Sequence, residues 1–316
     1  MIAPFSNDSP SFRYMQSRDP GASALLTDLY QLTMLQTYYE HGMTGTAVYE
    51  LFFRRLPPKA RNFFVAAGLE QVVEYLEGLR FLPEEIEWLA AQNRFTKDTL
   101  DRLASLRFTG DVDAIPEGTV FFANEPMIRI VAPLPVAQLV ETRVMNILHF
   151  QTMIASKAAR AAIQAPDKVL VDFGLRRAHA AEAGLYAARA TYLAGMAGTA
   201  TVLAGKLYGV PLFGTMAHSF IQAHDSEMAA FENYARSHPD NITFLIDTYD
   251  TEAAAHKVVQ LAPKLARDGI RIRAVRRYGA VDLGWRAQAQ GNALGPIRRY
   301  PFGAVSALGR AEALAG

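Results

Sequence analysis

The 316-residue sequence contains no cysteine. Without thiols the chain can form no disulfide, use no thiolate nucleophile and offer no cysteine ligand to a metal. It also has no dominant sign of charge, because 32 Lys and Arg residues balance 31 Asp and Glu residues to a formal net charge of +1. A general electrostatic attraction to nucleic acid is therefore not expected.

Long apolar segments are absent as well. No stretch approaches the roughly 20 residues that span a bilayer. Residues 1–20 are polar and lack the basic start and apolar run of a secretory signal. The composition, 50% hydrophobic and 20% charged, is ordinary for a globular protein. We therefore predict a cytoplasmic protein with neither a membrane nor a nucleic acid as its partner.

The first half of the chain mixes helical and strand-like patterns. Apolar residues at helical spacing follow Thr27, a predicted N-cap, and end near Gly42. Residues 46–53 alternate with apolar side chains on both faces, which predicts a strand covered on both sides. Further helices are predicted at 68–79, 83–92, 96–106 and 136–164, and further strands at 111–114, 119–122 and 127–131.

From residue 166 onward strands and helices alternate. Strands are predicted at 169–173, 210–214, 242–247 and 270–275, and helices at 200–208, 220–237 and 252–267. This order is typical of parallel βα units, and repeated units suggest a barrel. The predicted organisation is a flexible arm (1–22), an N-terminal α/β domain with a long connecting helix (23–164), a partial α/β barrel (165–276) and an atypical tail (277–316).

Functional groups of such barrels lie where the strands end. His218 lies in the segment GTMAHS, between the strand at 210–214 and the helix from 220, where helix N–H groups favour anions. A neutral imidazole there can attack a phosphoryl group, although a lone histidine is more often structural. The same rim would hold Arg176, Thr215, Asp247 and Arg276. Cations and hydroxyls suit phosphate and carboxylate ligands.

Six motifs occur in the order seen in nicotinate phosphoribosyltransferases, and the chain resembles that family over residues 23–276. The motifs are TDLYQ from Thr27, VET with a later Asn from Val140, FQT and SKAAR from Phe150, DFGLRR from Asp172, GTMAHS from Gly214 and DTYDT from Asp247. The resemblance implies an α/β fold of the type II phosphoribosyltransferase kind. This fold is an irregular α/β barrel, here incomplete, plus an N-terminal α/β domain, in a homodimer with its sites at the subunit interface.

The resemblance also implies an activity. The family condenses nicotinate with 5-phosphoribosyl 1-pyrophosphate to nicotinate mononucleotide and pyrophosphate, in NAD biosynthesis. ATP, with magnesium, is hydrolysed through a phosphohistidine that matches His218, and no tightly bound organic cofactor is implied. Tyr30 and Thr215 match nicotinate contacts, and Phe173 matches a ring-stacking aromatic. Arg176 matches a phosphate-facing residue, and Arg276 matches the arginine that opens the family's Arg-Leu-Asp-Ser-Gly-Asp-Leu segment.

The metal ligands stay open. Asp247 and Asp250 follow a predicted strand and are candidates. Both also precede the helix predicted from residue 252, where an aspartate commonly caps the helix and completes the turn. We prefer the capping interpretation.

Two positions bear on substrate and on activity. Ala200 follows Gly198-Thr199, where nicotinamide-using relatives carry an aspartate. An aspartate would repel the carboxylate of nicotinate, so alanine favours the acid. After Arg276 the chain reads RYGAVDL instead of the family segment, which we interpret as a truncated or frame-shifted chain. Two alternatives remain: a nicotinamide or quinolinate phosphoribosyltransferase, and a catalytically impaired or non-catalytic remnant that dimerises as a regulatory paralogue.

Overall fold

The computed structural model describes residues 20–56, 62–240, 242–277 and 280–282. These residues form two compact units. The first comprises the described residues up to Ala161 together with His179–Gly195, and the second contains Ala162–Ala178 and continues from Met196. Most of the predicted arm and tail lies outside the described residues, and the predicted domain bounds stay a prediction.

The first unit combines helices with two small antiparallel sheets. Its helices are α1 (Leu29–Glu40), α2 (Leu69–Gly78), α3 (Pro83–Ala91), α4 (Lys97–Ser105), most of α5 (Leu134–Gln164) and α6 (Ala180–Leu193). Its strands are β1 (Thr46–Phe52), β2 (Phe64–Val65), β3 (Asp111–Ala114), β4 (Val120–Phe121) and β5 (Pro126–Pro133). The sheet orders are β1-β5-β3 and β2-β4. Among the helices described, none combines the length and the apolar character that a membrane crossing requires.

Strand β1 departs from its prediction on one face. Tyr49 and Leu51 pack against the hydrophobic core of the unit. Val48 and Phe52, on the opposite face, are 59% and 43% exposed. The prediction of a strand covered on both sides is therefore wrong for the described residues, because only one face of this edge strand packs against the core.

The ends of α1 show how local chemistry sets its bounds. Asp28, not the predicted Thr27, occupies the N-cap position. His41 caps the other end, and Gly42 follows with a φ of +65°, in the left-handed region that glycine adopts without steric cost. The predicted end of the helix is therefore confirmed, and its predicted cap is one residue early.

The second unit is built from short strands and helices. Its strands are β6 (Val171–Asp172), β7 (Gly198–Thr199), β8 (Thr243–Leu245), β9 (Ala274–Arg277) and β10 (Ala280–Asp282). Its helices are α7 (Val202–Tyr208), α8 (His218–Gln222), α9 (Glu227–Ser237) and α10 (Thr251–Arg267). Strands β6 and β7 are parallel, as are β8 and β9, whereas β10 runs antiparallel to β9. The parallel βα order is confirmed, and the described sheets do not close into a barrel.

Two predicted elements differ from the structure. The strand predicted at 210–214 is reduced to one parallel bridge between Thr199 and Leu212. The helix predicted at 220–237 is two helices, because the Ser226 hydroxyl accepts the Ala229 N–H at 3.1 Å and starts α9 anew. Helix α8 has only five residues, so the predicted anion site at a long helix N-terminus is not supported.

Candidate functional site

His218 and Asp247 form the centre of the candidate site. His218 is the first residue of α8, and its Nε2 lies 3.1 Å from Asp247 Oδ1. The aspartate follows β8 by two residues, and its side chain is 15% exposed against 42% for the imidazole. If Nε2 carries the proton for this carboxylate, Nδ1 retains its lone pair. The pair therefore suits nucleophilic attack or proton transfer at Nδ1.

Arg276 brings positive charge to the same end of the unit. Its Nη2 donates to the carbonyl of Met216 at 2.8 Å, two residues before the histidine. Burial lowers the pKa of the Arg276 guanidinium from its ordinary value, and the charge of Arg176 lowers it further, although Asp247 raises it. The group remains protonated. Because the charge of Arg176 acts on Arg276, a bound anion would add to the compensation that Asp247 provides.

Buried polar atoms without partners lie around this pair. Thr215 Oγ1, Thr248 Oγ1 and Arg276 Nε are buried and make no hydrogen bond among the described residues. Buried polar atoms of proteins are normally hydrogen-bonded. Thr215 belongs to the segment that leads to the histidine, and Thr248 follows Asp247. These groups suit the oxygens of a phosphate or carboxylate.

Phe173 and Arg176 lie in the turn that follows β6. Phe173 is half-buried and Arg176 is exposed. The turn is tied down by Asp172, which is 1% exposed. Asp172 Oδ1 accepts the Gly174 N–H at 2.9 Å, and Oδ2 accepts the Thr199 hydroxyl at 2.8 Å. Sequence reasoning gave Asp172 no role, although an acidic residue at the end of a buried strand is a usable signal.

Gly198 lets the end of β7 approach its neighbours closely. A Cβ at this position would lie 2.2 Å from the Pro211 carbonyl oxygen and 2.7 Å from the Phe213 ring. A larger residue would therefore force the two segments apart. The close approach places the half-buried Ala200 next to the segment that continues to Thr215.

Tyr30 belongs to the first unit, where it is 49% exposed on α1. Its neighbour Gln31 is fully buried and donates from Nε2 to Glu141 Oε2 at 3.0 Å and to Thr142 Oγ1 at 3.2 Å. These bonds fix α1 on α5, so the orientation of Tyr30 is set by a polar network that joins two motifs of the sequence.

Asp250 caps a helix. Its Oδ1 accepts the Ala253 N–H at 2.7 Å at the start of α10. Within residues 20–56, 62–240, 242–277 and 280–282, no three His, Asp or Glu side chains gather as possible metal ligands. The capping interpretation is confirmed for Asp250, whereas Asp247 pairs with the histidine.

Comparisons with known proteins agree along the chain. A family model described as the nicotinate phosphoribosyltransferase N-terminal domain matches residues 25–149, and one described as the nicotinate phosphoribosyltransferase family matches residues 169–278. A nicotinate phosphoribosyltransferase of Mycobacterium tuberculosis strain H37Rv is 52% identical over 253 residues, which cover 80% of this chain and 54% of the relative. That of Bacillus subtilis is 44% identical, covering 72% and 46%. The chain thus spans about half the length of these curated relatives.

Solved structures share the fold. Human nicotinic acid phosphoribosyltransferase superposes with a TM-score of 0.74 at 31% identity, covering 79% of this chain and 60% of the human chain. The nicotinate-nucleotide pyrophosphorylase from Pyrococcus furiosus gives a TM-score of 0.62 at 23% identity, covering 82% and 58%, and shows the fold alone. The predicted type II α/β fold is therefore confirmed, and within the described ranges its sheets do not close into a barrel.

Proposed function

We propose that this chain, which belongs to the nicotinate phosphoribosyltransferase family, is an ATP-dependent nicotinate phosphoribosyltransferase. The supporting observation is the His218–Asp247 pair, 3.1 Å apart, with the half-buried Arg276 bonded to the Met216 carbonyl two residues before the histidine. The names of the relatives supply the substrate, nicotinate. The pair and its cationic surroundings supply an acceptor for the γ-phosphoryl group of ATP.

The first step is phosphorylation of His218. The Nδ1 lone pair attacks the γ-phosphorus, an N–P bond forms, and the bond to the β,γ-bridging oxygen breaks as ADP leaves. The imidazolium keeps its Nε2 proton, and the Asp247 carboxylate stabilises that positive charge. Water later breaks the N–P bond and releases inorganic phosphate. Arg276 is placed to compensate the phosphoryl oxygens.

The second step is transfer of the phosphoribosyl group. The nicotinate ring nitrogen forms a bond to the anomeric carbon of 5-phosphoribosyl 1-pyrophosphate, while the bond from that carbon to the pyrophosphate oxygen breaks. Arg176 and Arg276 would bind phosphate oxygens, and Thr215 would contact nicotinate. Phe173 offers an aromatic face to the ring. Magnesium would enter with the phosphates, since this ion is commonly held by substrate phosphates.

The proposal includes a setting for the enzyme. We expect a cytoplasmic homodimer, as the family resemblance implies, with nicotinate, 5-phosphoribosyl 1-pyrophosphate and ATP as its small-molecule partners. The absence of cysteine is compatible with a reducing compartment. Sedimentation equilibrium of the purified chain measures the dimer directly, and a monomer at every concentration would contradict it.

The test follows labelled nicotinate in the purified chain with 5-phosphoribosyl 1-pyrophosphate, magnesium and ATP. Wild type should form nicotinate mononucleotide faster when ATP is present. His218→Ala should remove the ATP stimulation and the acid-labile label that γ-labelled ATP leaves on the protein. His256→Ala is the matched control, because His256 is an exposed histidine of α10 outside the site.

The outcomes separate the hypotheses. Product formation that His218→Ala leaves equally sensitive to ATP would contradict the phosphohistidine. Turnover of nicotinamide in preference to nicotinate would contradict the assigned substrate. A folded chain without turnover and without label would favour the non-catalytic paralogue instead.

A further inference from the structure

Asp172 is the most deeply buried carboxylate beside the candidate site and takes no part in the proposed chemistry. Its side chain is 1% exposed, and both of its oxygens accept hydrogen bonds. One bond comes from the backbone of the turn after β6, through Gly174, and the other from the hydroxyl of Thr199 at the end of β7. The carboxylate therefore joins the ends of two parallel strands.

Thr199 extends this connection to the next element. Its hydroxyl, which is fully buried, also accepts the Thr201 N–H at 3.0 Å, just before α7. The Ala200 N–H donates to the Asp172 carbonyl oxygen at 2.8 Å. Hydrogen bonds from the Thr199 side chain and the Ala200 backbone thus hold the turn at Ala200, which we call the Ala200 corner, against the end of β6.

Asp172 and Thr199 each precede, by one position in the sequence, a residue that we associate with the nicotinate ring. Phe173 is the next residue after Asp172, and Ala200 is the next residue after Thr199. A hydrogen bond to a charged acceptor is stronger than one between neutral groups, so this bond resists separation of the two corners. Preorganised walls bind a rigid ring better than walls that must be ordered on binding.

We propose that Asp172 and Thr199 are a pair of positioning residues that set the separation between Phe173 and Ala200 and thereby the affinity for the nicotinate ring. The inference rests on the proposed function, because it takes nicotinate as the ligand of this corner. Neither residue touches the reacting atoms in the proposal. Their effect passes through the two neighbours that they hold.

Substitutions at Thr199 distinguish the contribution of its hydroxyl from that of the shape of the side chain. Thr199→Val removes both the donor to Asp172 and the acceptor of the Thr201 N–H with little change of volume, and Thr199→Ser restores both. Asp172→Asn keeps an acceptor for the Gly174 N–H but presents an amide donor to the hydroxyl, whose own proton then loses its acceptor. Thr191→Val is the matched control, since Thr191 is equally buried and donates only to a backbone carbonyl, that of Ala188, at 3.0 Å.

The measurement is steady-state kinetics of the full chain, with nicotinate and 5-phosphoribosyl 1-pyrophosphate varied in turn. We expect the KM for nicotinate to rise about tenfold in Thr199→Val and Asp172→Asn, as for loss of one charge-assisted hydrogen bond. The KM for the second substrate should change less than about twofold. Thr199→Ser and the Thr191 control should stay close to wild type.

Hydrogen exchange gives a second readout. The amides of residues 173–177 should exchange faster in Thr199→Val than in wild type or in the Thr191 control. Faster exchange together with the selective change in KM supports the inference. Equal rises in both KM values, or values like wild type in an active Thr199→Val, would overturn the inference alone. A wild type that neither binds nor converts nicotinate would overturn the proposed function, and this inference with it.

Discussion

Buried polar side chains serve different ends in the two units. In the first unit they bind one another. Arg189 donates to both Glu117 and Glu70, and Glu117 also accepts the N–H groups of Gly68 and Leu69 at the start of α2. These bonds connect segments that are far apart in the sequence, so they stabilise the arrangement of helices and strands.

In the second unit, Asp172 and Thr199 also bind each other, but some polar atoms around the candidate site lack such partners among the described residues. The single hydroxyls of Thr215 and Thr248 are buried without a hydrogen bond among the described residues. The first unit also has buried atoms without partners. Arg143 and Gln151 are hydrogen-bonded through their other polar atoms, whereas the hydroxyl of Thr27, like those of Thr215 and Thr248, has no partner among the described residues. The threonines have no second polar side-chain atom to compensate.

This difference leads to separate expectations for the stability of the protein and for its binding of ligands. A buried polar group without a partner costs roughly 1–3 kcal/mol, and a ligand oxygen can remove that cost. Substitutions in the polar network of the first unit should therefore change the free energy of unfolding. Substitutions around the candidate site should change ligand binding and reaction rates more than the free energy of unfolding.

The largest effect is expected in the first unit. Glu117→Ala leaves the buried Arg189, whose side chain is 9% exposed, without the carboxylate that accepts from both its Nη1 and its Nη2, and it removes the cap of α2. We expect the free energy of unfolding to fall by about 3–5 kcal/mol. Urea unfolding measures it, and Glu77→Ala, an exposed glutamate of α2, is the control. Similar stabilities of the two variants would contradict the role of the network.

The same carboxyl predicts a pH dependence. Burial raises the pKa of Glu117, but the hydrogen bonds and charge of Arg189 and the N–H groups of Gly68 and Leu69 outweigh burial and lower the pKa below its ordinary value. A lowered folded pKa stabilises the protein above the unfolded value of about 4.3 and loses that contribution as pH falls through the folded value. The difference in stability between wild type and Glu117→Gln should be constant near neutrality and shrink below about pH 4.

The next largest effect should be on the rate of phosphorylation rather than on the free energy of unfolding. Asp247→Asn removes the negative charge that stabilises the His218 imidazolium. We expect labelling by γ-labelled ATP to slow by about tenfold to a hundredfold, while the free energy of unfolding changes by less than about 1 kcal/mol. Asp225→Asn, at an exposed aspartate between α8 and α9, is the control. Unchanged labelling in Asp247→Asn would show that the pair does not act together.

A smaller change should separate the acid from the amide substrate. Ala200→Asp adds a carboxylate beside the proposed ring position and should lower kcat/KM for nicotinate by at least about tenfold, since like charges repel strongly in a partly buried site. Ala200→Ser controls for the added volume. If both variants use nicotinate equally well, Ala200 does not face the ring.

Ala180 tests backbone strain in the first unit. It begins α6 with a φ of +76°, in a region that costs an alanine about 1–2 kcal/mol. Ala180→Gly should raise the free energy of unfolding by about 0.5–1 kcal/mol, after the entropy cost of glycine. Ala181→Gly, one residue further into the helix, should lower it by a similar amount. Changes of the same sign would contradict this explanation.

The smallest effect compares the buried hydroxyls of two threonines. Thr248→Val removes a hydroxyl that makes no hydrogen bond within the described residues, so stability should stay equal or rise by up to about 0.5 kcal/mol. Thr152→Val removes a fully buried hydroxyl that contacts the Ala67 backbone and should cost about 1 kcal/mol. Thermal unfolding measures the stability of both variants. An equal loss of stability in Thr248→Val and Thr152→Val would contradict the proposed difference between the two units.

Local patterns predicted most elements because their causes are local. The strand predicted at 111–114 corresponds to β3, and Asp250 caps α10 as expected. The break between α8 and α9 was missed, although Ser226 is a local capping signal that favours a new helix start. The exposed face of β1 was also missed, because the sequence does not specify which layers cover an edge strand.

The sequence alone determined the family and the parallel βα order, and it singled out His218, Arg176 and Arg276 as candidate site residues, because motifs and periodicity lie within short segments. Only the tertiary structure decided which groups meet. The fold brings the Asp247 carboxylate to the His218 imidazole, and it brings Asp172 into hydrogen-bonding contact with Thr199, 27 residues away in the sequence. These contacts depend on strand register and on close approach at Gly198, and such distances are set by packing between segments rather than by the residues of any one segment.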